Sequence, residues 1–324
     1  MLTLNKDPQW AVVEEDQKIM SVQMSSDNQY IAAGVSNGIL SLRSPQTGRL
    51  SYSLVHSEQR YPVTAVRFSQ ADPKVIISAS ADGIIKEWTT KNPQSVWETS
   101  EPGNQIFALD MSKDGTIFCT GGSDTHLRVY DYAEKKIKIE LMRNEFDLES
   151  TRGHTNRICS VHCHPSDTNI IFTGGWDNTI QIWDIRQPFP ARSIFGPHIA
   201  GDSLDTCDRF LMAGSWREKD QFLIWDIRTY QLIATMQWSS TPEDHQCSIY
   251  TAKFHPNCQF IVGAGSGANQ VKTYSTSNFS SIGSPLQMKS AVLTMCLDPM
   301  ADSVIIGTSG GDLCLHNFVT SGEI

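Results

Sequence analysis

The chain has 324 residues, of which 40% are hydrophobic and only 19% are charged, a composition that supports a large buried core and disfavours whole-chain disorder. The 26 Lys and Arg residues against 35 Asp and Glu give a net charge of −9, which argues against a nucleic-acid backbone as the main partner. No apolar run approaches the ~18 residues of a membrane helix, and the first residues lack the pattern of a secretion signal. We therefore expect a cytoplasmic protein, with the nucleus, the cilium and the cytoskeleton as open alternatives.

A repeat of about 40 to 50 residues organises the chain, a period typical of propellers and solenoids. In each unit a predicted strand with alternating apolar and polar residues ends at one marker position. The marker is often aromatic and followed by Asp, as in Trp183-Asp184 and Trp225-Asp226. The seven markers are Arg43, Trp88, Tyr130, Trp183, Trp225, Tyr274 and His316. The sequence therefore predicts seven units.

Each unit repeats the same short strands, separated by turns rich in Gly, Asn, Asp and Pro, and no segment has a convincing helical period. The turns Ser36-Asn37-Gly38 and Ala81-Asp82-Gly83 predict tight hairpins in which both central residues have a positive φ. A fourth, outer strand follows most markers, but the residues after His316 look too short and polar to form one. We expect residues 9–13 to supply that strand and to close the ring.

The fourth unit carries the most specific motif. Gly153-His154 precedes its first strand, Thr173 lies in the second, Asp177 sits in the turn, and Trp183 ends the third. With the seven repeats, this motif resembles the WD40-repeat (WD-repeat) β-propellers over essentially the whole chain. In that family such a His, Thr, Asp and Trp form a buried hydrogen-bond chain, in which each polar group has a partner.

The resemblance implies an all-β, seven-bladed propeller of four-stranded antiparallel sheets, forming a single domain over residues 1–324. In the sixth unit, His245 has the right phase but Tyr274 replaces the Trp, and the turn lacks the matching Asp. We therefore expect most blades to rely on apolar packing. The predicted units span residues 19–55, 56–102, 103–142, 153–195, 196–238, 245–286 and 287–318, with residues 9–13 completing the last.

Several motifs that suggest chemistry are better explained by the repeat. The Gly-x-Ser-x-Gly matches at residues 34–38 and 307–311 fall at equivalent hairpin turns, and the glycine-rich residues 263–267 fall at a similar position with no helix after them. We expect no catalytic residue and no cofactor, so the protein is predicted not to be an enzyme.

The cysteines suggest neither a disulfide framework nor a metal site. Eight of them are spread along the chain, and reduced, mostly buried thiols are the default. The cluster of Cys159, His162, Cys163 and His164 would put the two thiols on one face of a strand and the two imidazoles on the other, towards solvent. We therefore expect no bound metal.

Two tryptophans indicate a partner-binding rim. Most units place a small residue just before the turn Asp, but the fourth and fifth place Trp176 and Trp216 there. Large exposed aromatics are enriched among interface hot spots, and Arg157 and Arg217 are expected on the same rim. The alternative is that each indole folds over its neighbouring loop.

Arg186 and Arg228 indicate a second candidate surface, because each follows Trp-Asp-Ile. Residues 172–186 resemble the box of WD-repeat substrate receptors of cullin-RING ubiquitin ligases, in which the arginine faces the adaptor protein. Either arginine could instead pair with a nearby carboxylate. Two insertions, residues 143–150 and 239–246, are either docking segments or solvated loops.

From these features we predict a non-catalytic scaffold whose partners are other proteins, bound at the rim around Trp176 and Trp216 and presented by a rigid ring. The alternatives are a ubiquitin-ligase substrate receptor acting through Arg186 and Arg228, and a structural subunit of a cytoskeletal or ciliary assembly.

Overall fold

The computed structural model describes residues 2–143, 152–239, 246–300 and 302–320, and every helix-or-strand element within these ranges is a β-strand. Two N-terminal strands, β1 (Leu2–Leu4) and β2 (Trp10–Val13), precede the first blade. The remaining strands form seven antiparallel sheets arranged as blades.

The first three blades have four strands each, which follow one another in sequence from the innermost strand outward. Blade 1 comprises β3 (Ile19–Met24), β4 (Ile31–Val35), β5 (Ile39–Arg43) and β6 (Leu50–Val55). Blade 2 comprises β7 (Val63–Phe68), β8 (Val75–Ser80), β9 (Ile84–Thr89) and β10 (Asn92–Ser100). Blade 3 comprises β11 (Ile106–Met111), β12 (Ile117–Gly122), β13 (Leu127–Asp131) and β14 (Lys136–Leu141).

The last four blades follow the same order. Blade 4 comprises β15 (Ile158–Cys163), β16 (Ile170–Gly175), β17 (Thr179–Asp184) and β18 (Arg192–Phe195). Blade 5 comprises β19 (Leu204–Cys207), β20 (Phe210–Gly214), β21 (Phe222–Asp226) and β22 (Leu232–Met236). Blade 6 comprises β23 (Cys247–Phe254), β24 (Phe260–Gly267), β25 (Gln270–Ser275) and β26 (Ser281–Gln287). Blade 7 begins with β27 (Val292–Leu297), β28 (Ser303–Thr308) and β29 (Asp312–Thr320).

The blades form a closed ring, which confirms the predicted seven-bladed propeller. Each innermost strand contacts the innermost strand of the next blade, and β27 contacts β3 to complete the circle. The hydrophobic core is divided into seven clusters, each shared by two neighbouring blades; Trp183 of blade 4, for example, packs with Leu127 and Val129 of blade 3. The ring is therefore stabilised mainly by burial between sheets.

The N-terminal strands close the ring through blade 7. Strand β2 pairs antiparallel with β29, from Trp10 opposite Leu315 to Val13 opposite Asp312, as the sequence predicted for residues 9–13. Strand β1 pairs with the far end of β29, which continues beyond His316, and so gives blade 7 a fifth strand that was not predicted. The N-terminal segment thus covers an edge of β29 that would otherwise be free to pair with another chain.

Trp10 anchors this closure to blade 1. Its indole is buried and its Nε1 donates a hydrogen bond to the carbonyl oxygen of Pro45 at 2.6 Å. The ring lies against Gly48, where a Cβ would meet indole carbon Cε3 at 2.5 Å, so the turn after β5 needs glycine both for this contact and for its φ of +69°. Next to it, Glu14 forms an ion pair with Arg43.

Two details of the turns differ from the sequence predictions. In the hairpins at Gly38 and Gly83 only the glycine has a positive φ, because each turn is longer than the two-residue hairpin assumed. Residues 263–267 extend strand β24, and the turn follows at Ala268-Asn269.

The cysteines also differ from the expectation of reduced thiols. Cys207, at the end of β19, forms a disulfide with Cys258, in the turn after β23, with their Cα atoms 5.7 Å apart. Neighbouring blades bring these two positions together, although 51 residues separate them in sequence. The other six cysteines are free, and five of them are buried.

Candidate functional site

Blade 4 contains a buried chain of hydrogen bonds through His154, Thr173, Asp177 and Trp183. The imidazole bonds to Asp177 Oδ2 through Nδ1 at 2.8 Å and to Thr173 Oγ1 through Nε2 at 2.7 Å, while Trp183 Nε1 donates to the same hydroxyl oxygen at 2.7 Å. Burial opposes the charge on Asp177, but hydrogen bonds from His154 and from the turn hold the pKa of its carboxyl below the ordinary value. The four side chains tie the loop before β15 to the second and third strands of the blade and to the turn between them.

Blade 3 has an equivalent chain that the sequence analysis missed, because a carboxylate replaces the histidine. Glu101, which is 2% exposed, accepts hydrogen bonds from Thr120 Oγ1 and Tyr130 Oη on one oxygen. The other oxygen accepts from Asn104 Nδ2 at 2.6 Å and Arg128 Nη1 at 3.1 Å. The aromatic marker Tyr130 was the only signal for this network, since its partners match no motif. Blade 3 therefore does not depend on apolar packing alone.

Blade 2 has a third version of the same arrangement. Trp88 Nε1 donates to Ser78 Oγ at 2.7 Å, and buried His56 faces the Ser78 carbonyl oxygen at 3.4 Å. The Nδ1 atom of His56 has no hydrogen-bond partner among the described residues. Burial lowers the pKa of His56 to about 4, with smaller opposing contributions from the Ser78 carbonyl and from nearby carboxylates.

Trp176 and Trp216 lie on one face of the ring, in the turns between the second and third strands of blades 4 and 5, which we call the hairpin face. Their side chains are 40% and 42% exposed. His198 lies between them, with its ring centroid 5.6 Å from that of Trp176 and 6.2 Å from that of Trp216. Each indole is therefore partly covered by a neighbouring loop while a large fraction of it still faces solvent.

The two indoles belong to a longer row of side chains. Arg157 stacks over Trp176, with Cζ 4.3 Å from the ring centroid, and the same Cζ is 5.6 Å from the ring centroid of Phe107. At the other end Tyr250 lies 6.3 Å from Trp216, measured between ring centroids. We call this row, which crosses blades 3 to 6, the aromatic arc; it consists of Phe107, Arg157, Trp176, His198, Trp216 and Tyr250.

Arg217 is exposed and follows Trp216 in the same turn. Its charge contributes to the pKa of His198, which lies below the ordinary value of histidine, first because of burial and then because of this guanidinium. His198 is thus a neutral aromatic link in the arc at neutral pH. All four residues predicted for the rim lie on the hairpin face, and the histidine, Phe107 and Tyr250 are additions from the structure.

Repeated β-bulges shape the mouth of the central channel on this face. In six blades the innermost strand has a register shift against the second strand, so that two of its residues oppose one, as at Ile106 and Ala108. The extra residues are Met20, Thr64, Phe107, Cys159, Tyr250 and Leu293. They line a cavity of about 190 Å³ together with Asp202 of blade 5, Arg67, Arg157 and Trp176.

Charged side chains cross the channel below this cavity. Arg67 of blade 2 bonds to Asp110 at 3.1 Å and reaches Asp202 of blade 5 at 2.9 Å, and Lys253 bonds to the second oxygen of Asp202 at 3.0 Å. Burial opposes these charges, but the two cations hold the pKa of Asp202 far below its ordinary value. The network ties opposite sides of the ring together, and its Arg67 and Asp202 belong to the cavity lining.

His162 and the neighbouring thiols lie between blades. His162 Nε2 bonds to Thr206 Oγ1 at 2.8 Å, so this imidazole is half-buried against blade 5 and does not face solvent as expected. Cys163 lies 4.0 Å from Cys119 of blade 3, measured between sulfur atoms, and burial raises the pKa of Cys159 to about 12. Cys163 packs against blade 3, whereas the bulge at Cys159 places that thiol at the channel mouth and against blade 5, so the two thiols do not share one face of the strand as expected.

Arg186 and Arg228 lie on the opposite face, in the turns after the third strands. Arg186 is exposed and binds Asp184 through two hydrogen bonds of 2.7 Å, which is the local pairing that the sequence analysis left open. Arg228 is exposed too, and within the described residues no carboxylate pairs with its guanidinium. The two candidate surfaces are therefore separated by the length of a strand.

Comparisons with known proteins agree with this architecture. The sequence profile "WD domain, G-beta repeat" matches residues 48–89, 93–131 and 147–184, and the seven blades continue the same repeat around the ring. The chain is a seven-bladed β-propeller that contains WD40 repeats.

The relatives of this WD40 propeller have varied names. It is 30% identical to "Ribosome biogenesis protein YTM1" of Phaeosphaeria nodorum over 51% of this chain and 32% of that protein. It is 30% identical to "Pre-mRNA-processing factor 19" of Bos taurus over 54% of this chain and 31% of that protein. A match to "Protein transport protein SEC31" of Kluyveromyces lactis is 23% identical over 83% of this chain and 22% of that protein. The chain thus spans about a third or less of these relatives, and their names indicate no single process or compartment.

Some sequence predictions fall on residues that are not described. His245, and most of the insertions at 143–150 and 239–246, lie outside the described ranges. Within those ranges, the WD40 propeller has no helix long and apolar enough to cross a membrane.

Proposed function

We propose that this propeller is a non-catalytic scaffold that binds other proteins through the hairpin face. The observation that carries the proposal is the aromatic arc, because six adjoining side chains from four successive blades reach the surface beside the channel mouth. Tryptophan and arginine are among the residue types most enriched in interface hot spots, and the arc presents both partly exposed.

The supporting scaffold is rigid, which favours tight binding by a small number of contacts. The backbone N–H of Trp216 donates to the carbonyl oxygen of His198 at 2.7 Å, and that of Trp176 donates to the Arg157 carbonyl oxygen at 3.1 Å. Since these loops are already ordered, a partner loses little free energy in fixing them. The WD40 repeats fit this role, while the relatives' own processes do not transfer to a chain that covers so little of them.

The test is to compare the partners of three forms of the full chain, each purified with a tag from the cells that express it. Trp176→Ala combined with Trp216→Ala removes both exposed indoles. Each hot-spot indole contributes about 2 kcal/mol or more, so we expect at least about thirtyfold weaker binding and loss of partners after washing.

The matched control is Arg186→Ala combined with Arg228→Ala, which alters two exposed side chains on the opposite face. We expect this control to keep the partners that the tryptophan variant loses, with both variants melting within a few degrees of the parent. Retention of every partner by a folded tryptophan variant would refute the proposal. Loss of partners only in the arginine variant would move the binding surface to the other face.

We do not extend the proposal to a ubiquitin-ligase adaptor or to a cytoskeletal or ciliary assembly. The guanidinium of Arg186 is already bound by Asp184, and the resemblance at residues 172–186 is accounted for by the ordinary repeat.

A further inference from the structure

The cavity at the channel mouth has a size suited to one side chain. Its volume is about 190 Å³, below the ~300–1,000 Å³ of sites that hold free small molecules. The bulge residues Met20, Phe107 and Leu293 give it largely apolar walls, and it opens beside Trp176. A residue projecting from a bound chain fits this shape, with the rest of that chain lying along the aromatic arc.

Charge at the mouth favours an anionic neighbour for that residue. The cavity is lined by two guanidinium groups, Arg67 and Arg157, and by one carboxylate, Asp202. Arg67 and Lys253 already bind the two oxygens of Asp202 and compensate its charge, so Asp202 attracts an incoming cation only weakly.

Arg157 differs in its partners from the arginines of the channel and of the buried hydrogen-bond networks. Arg43, Arg67 and Arg128 each bind a carboxylate, whereas Arg157 contacts only aromatic rings and has no carboxylate partner within the described residues. The guanidinium lies over the ring of Trp176, and within the described residues its N–H groups have no hydrogen-bond acceptor. A planar guanidinium of this kind matches a carboxylate through paired hydrogen bonds.

Resting on the proposed function, we infer that the hairpin face binds an extended segment of a partner protein in which an Asp or Glu adjoins an apolar side chain. The apolar side chain enters the channel mouth between Met20, Phe107 and Leu293. The adjoining carboxylate binds Arg157, and the exposed Arg217 favours a second acidic residue farther along the arc. The uncompensated cation at the mouth is thus Arg157, although the chain as a whole has a net charge of −9.

The experiment selects binders to the immobilised full chain from a displayed library of random twelve-residue segments. We expect the selected segments to be enriched in Asp or Glu next to Phe, Leu, Ile or Trp. Enrichment of Lys or Arg at that place, segments bound only through a free C-terminal carboxylate, or no enrichment would each overturn the inference.

A double-mutant cycle then tests the contact itself, using one selected peptide with blocked ends and isothermal titration calorimetry. Arg157→Gln, or Glu→Gln in the peptide, should each weaken binding about tenfold or more, and the two together should weaken it hardly further. Arg157→Lys should restore part of the affinity, and binding should weaken with added salt. Equal affinity of the Glu and Gln peptides would contradict the inference.

Two comparisons separate this inference from the proposed function. Arg186→Ala, on the opposite face, should leave peptide binding unchanged. If Arg157→Gln keeps the cellular partners that are lost with Trp176→Ala and Trp216→Ala, the hairpin face still binds proteins and only the acidic chemistry is wrong. If the tryptophan variant keeps its partners, the proposed function itself fails.

Discussion

Blades 3 and 4 satisfy the same buried groups with different chemistry. In both, a threonine hydroxyl on the second strand lies beside an aromatic donor on the third, Tyr130 in blade 3 and Trp183 in blade 4. The residue that completes the chain from the preceding loop is Glu101 in one blade and His154 in the other.

The difference follows from the number of donors that each completing group can serve. A neutral imidazole has one donor and one acceptor, so His154 links Thr173 to Asp177 and is then saturated. A carboxylate only accepts, and Glu101 accordingly collects four donors, of which the guanidinium of Arg128 also balances its charge. Both blades thus share a requirement for hydrogen-bond partners, while the residue that meets it can change.

The largest expected effect comes from removing the completing residue. Glu101→Leu leaves the donors of Asn104, Thr120 and Tyr130 without their buried acceptor, and should lower the free energy of unfolding by about 4 kcal/mol. Arg128 loses one carboxylate but keeps its ion pairs with Asp124 and Glu140. His154→Leu should cost only about 2 kcal/mol, because Asp177 keeps hydrogen bonds from Thr155 and Thr179. Urea unfolding of both variants and the parent measures these differences in the free energy of unfolding.

Glu101→Gln is the control for that comparison. Its amide oxygen can accept from Asn104 and Arg128 while the two hydroxyls turn to accept from its NH₂ group, so it should be milder than Glu101→Leu. Equal losses for Glu101→Leu and His154→Leu would mean that the two networks do not differ as described.

A smaller effect should appear in blade 2, where His56 takes the equivalent position. Its pKa is about 4 in the folded chain against an ordinary 6.5, so the unfolded state binds more protons between these values. The stability that the neutral imidazole provides is complete above pH 6.5 and is lost as the pH falls towards 4. Between pH 7.5 and 5 the loss should be roughly 2 kcal/mol.

The control for this pH dependence is His56→Gln, which cannot titrate. At each pH, the free energy of unfolding of this variant, measured with urea, is subtracted from that of the parent. The difference removes the contribution of all other titrating groups. A difference that stays constant between pH 7.5 and 5 would show that His56 is not held neutral by burial.

The smallest expected effect uses the hairpin turns of the same two blades. Thr125 in blade 3 has a φ of +71°, and Asn178 occupies the matching turn of blade 4 with a φ of +63°. A β-branched residue is strained in this region, whereas asparagine tolerates it. Thr125→Asn should stabilise the protein by about 1 kcal/mol, as measured by thermal unfolding. The mirror change Asn178→Thr should destabilise it by about 1 kcal/mol or more, because it also removes the hydrogen bond between Asn178 Oδ1 and His198 Nδ1. Effects of the same sign in both variants would exclude backbone strain as the cause.

The ring could be predicted because its signals are periodic. The marker positions from Arg43 to His316 fix the third strand of every blade, and the missing outer strand after His316 pointed to residues 9–13. Strand β1 was missed, since three residues carry too little pattern to be distinguished from a loop. The disulfide between Cys207 and Cys258 was missed because only the ring brings their turns together.

The candidate site was predictable in part. Trp176 and Trp216 stood out because the repeat places small residues at their positions in other blades. The position of Phe107 and Tyr250 at the channel mouth could not be predicted. A β-bulge turns each of them into the mouth, and nothing in the local sequence indicates the bulge. His198 was missed because its place between the two indoles depends on how blades 4 and 5 pack.

The contact between Trp10 and Pro45 bears on how the chain is made. Strand β2 is translated about 300 residues before its partner in β29. At ~5–20 residues per second, this apolar strand is without its pairing partner for about 15–60 s. The Pro45 carbonyl lies only 35 residues downstream of the indole, so it emerges from the ribosome early. The indole can therefore bind to blade 1 long before β29 is synthesised. This contact keeps the nascent strand from pairing with other chains until β29 is available.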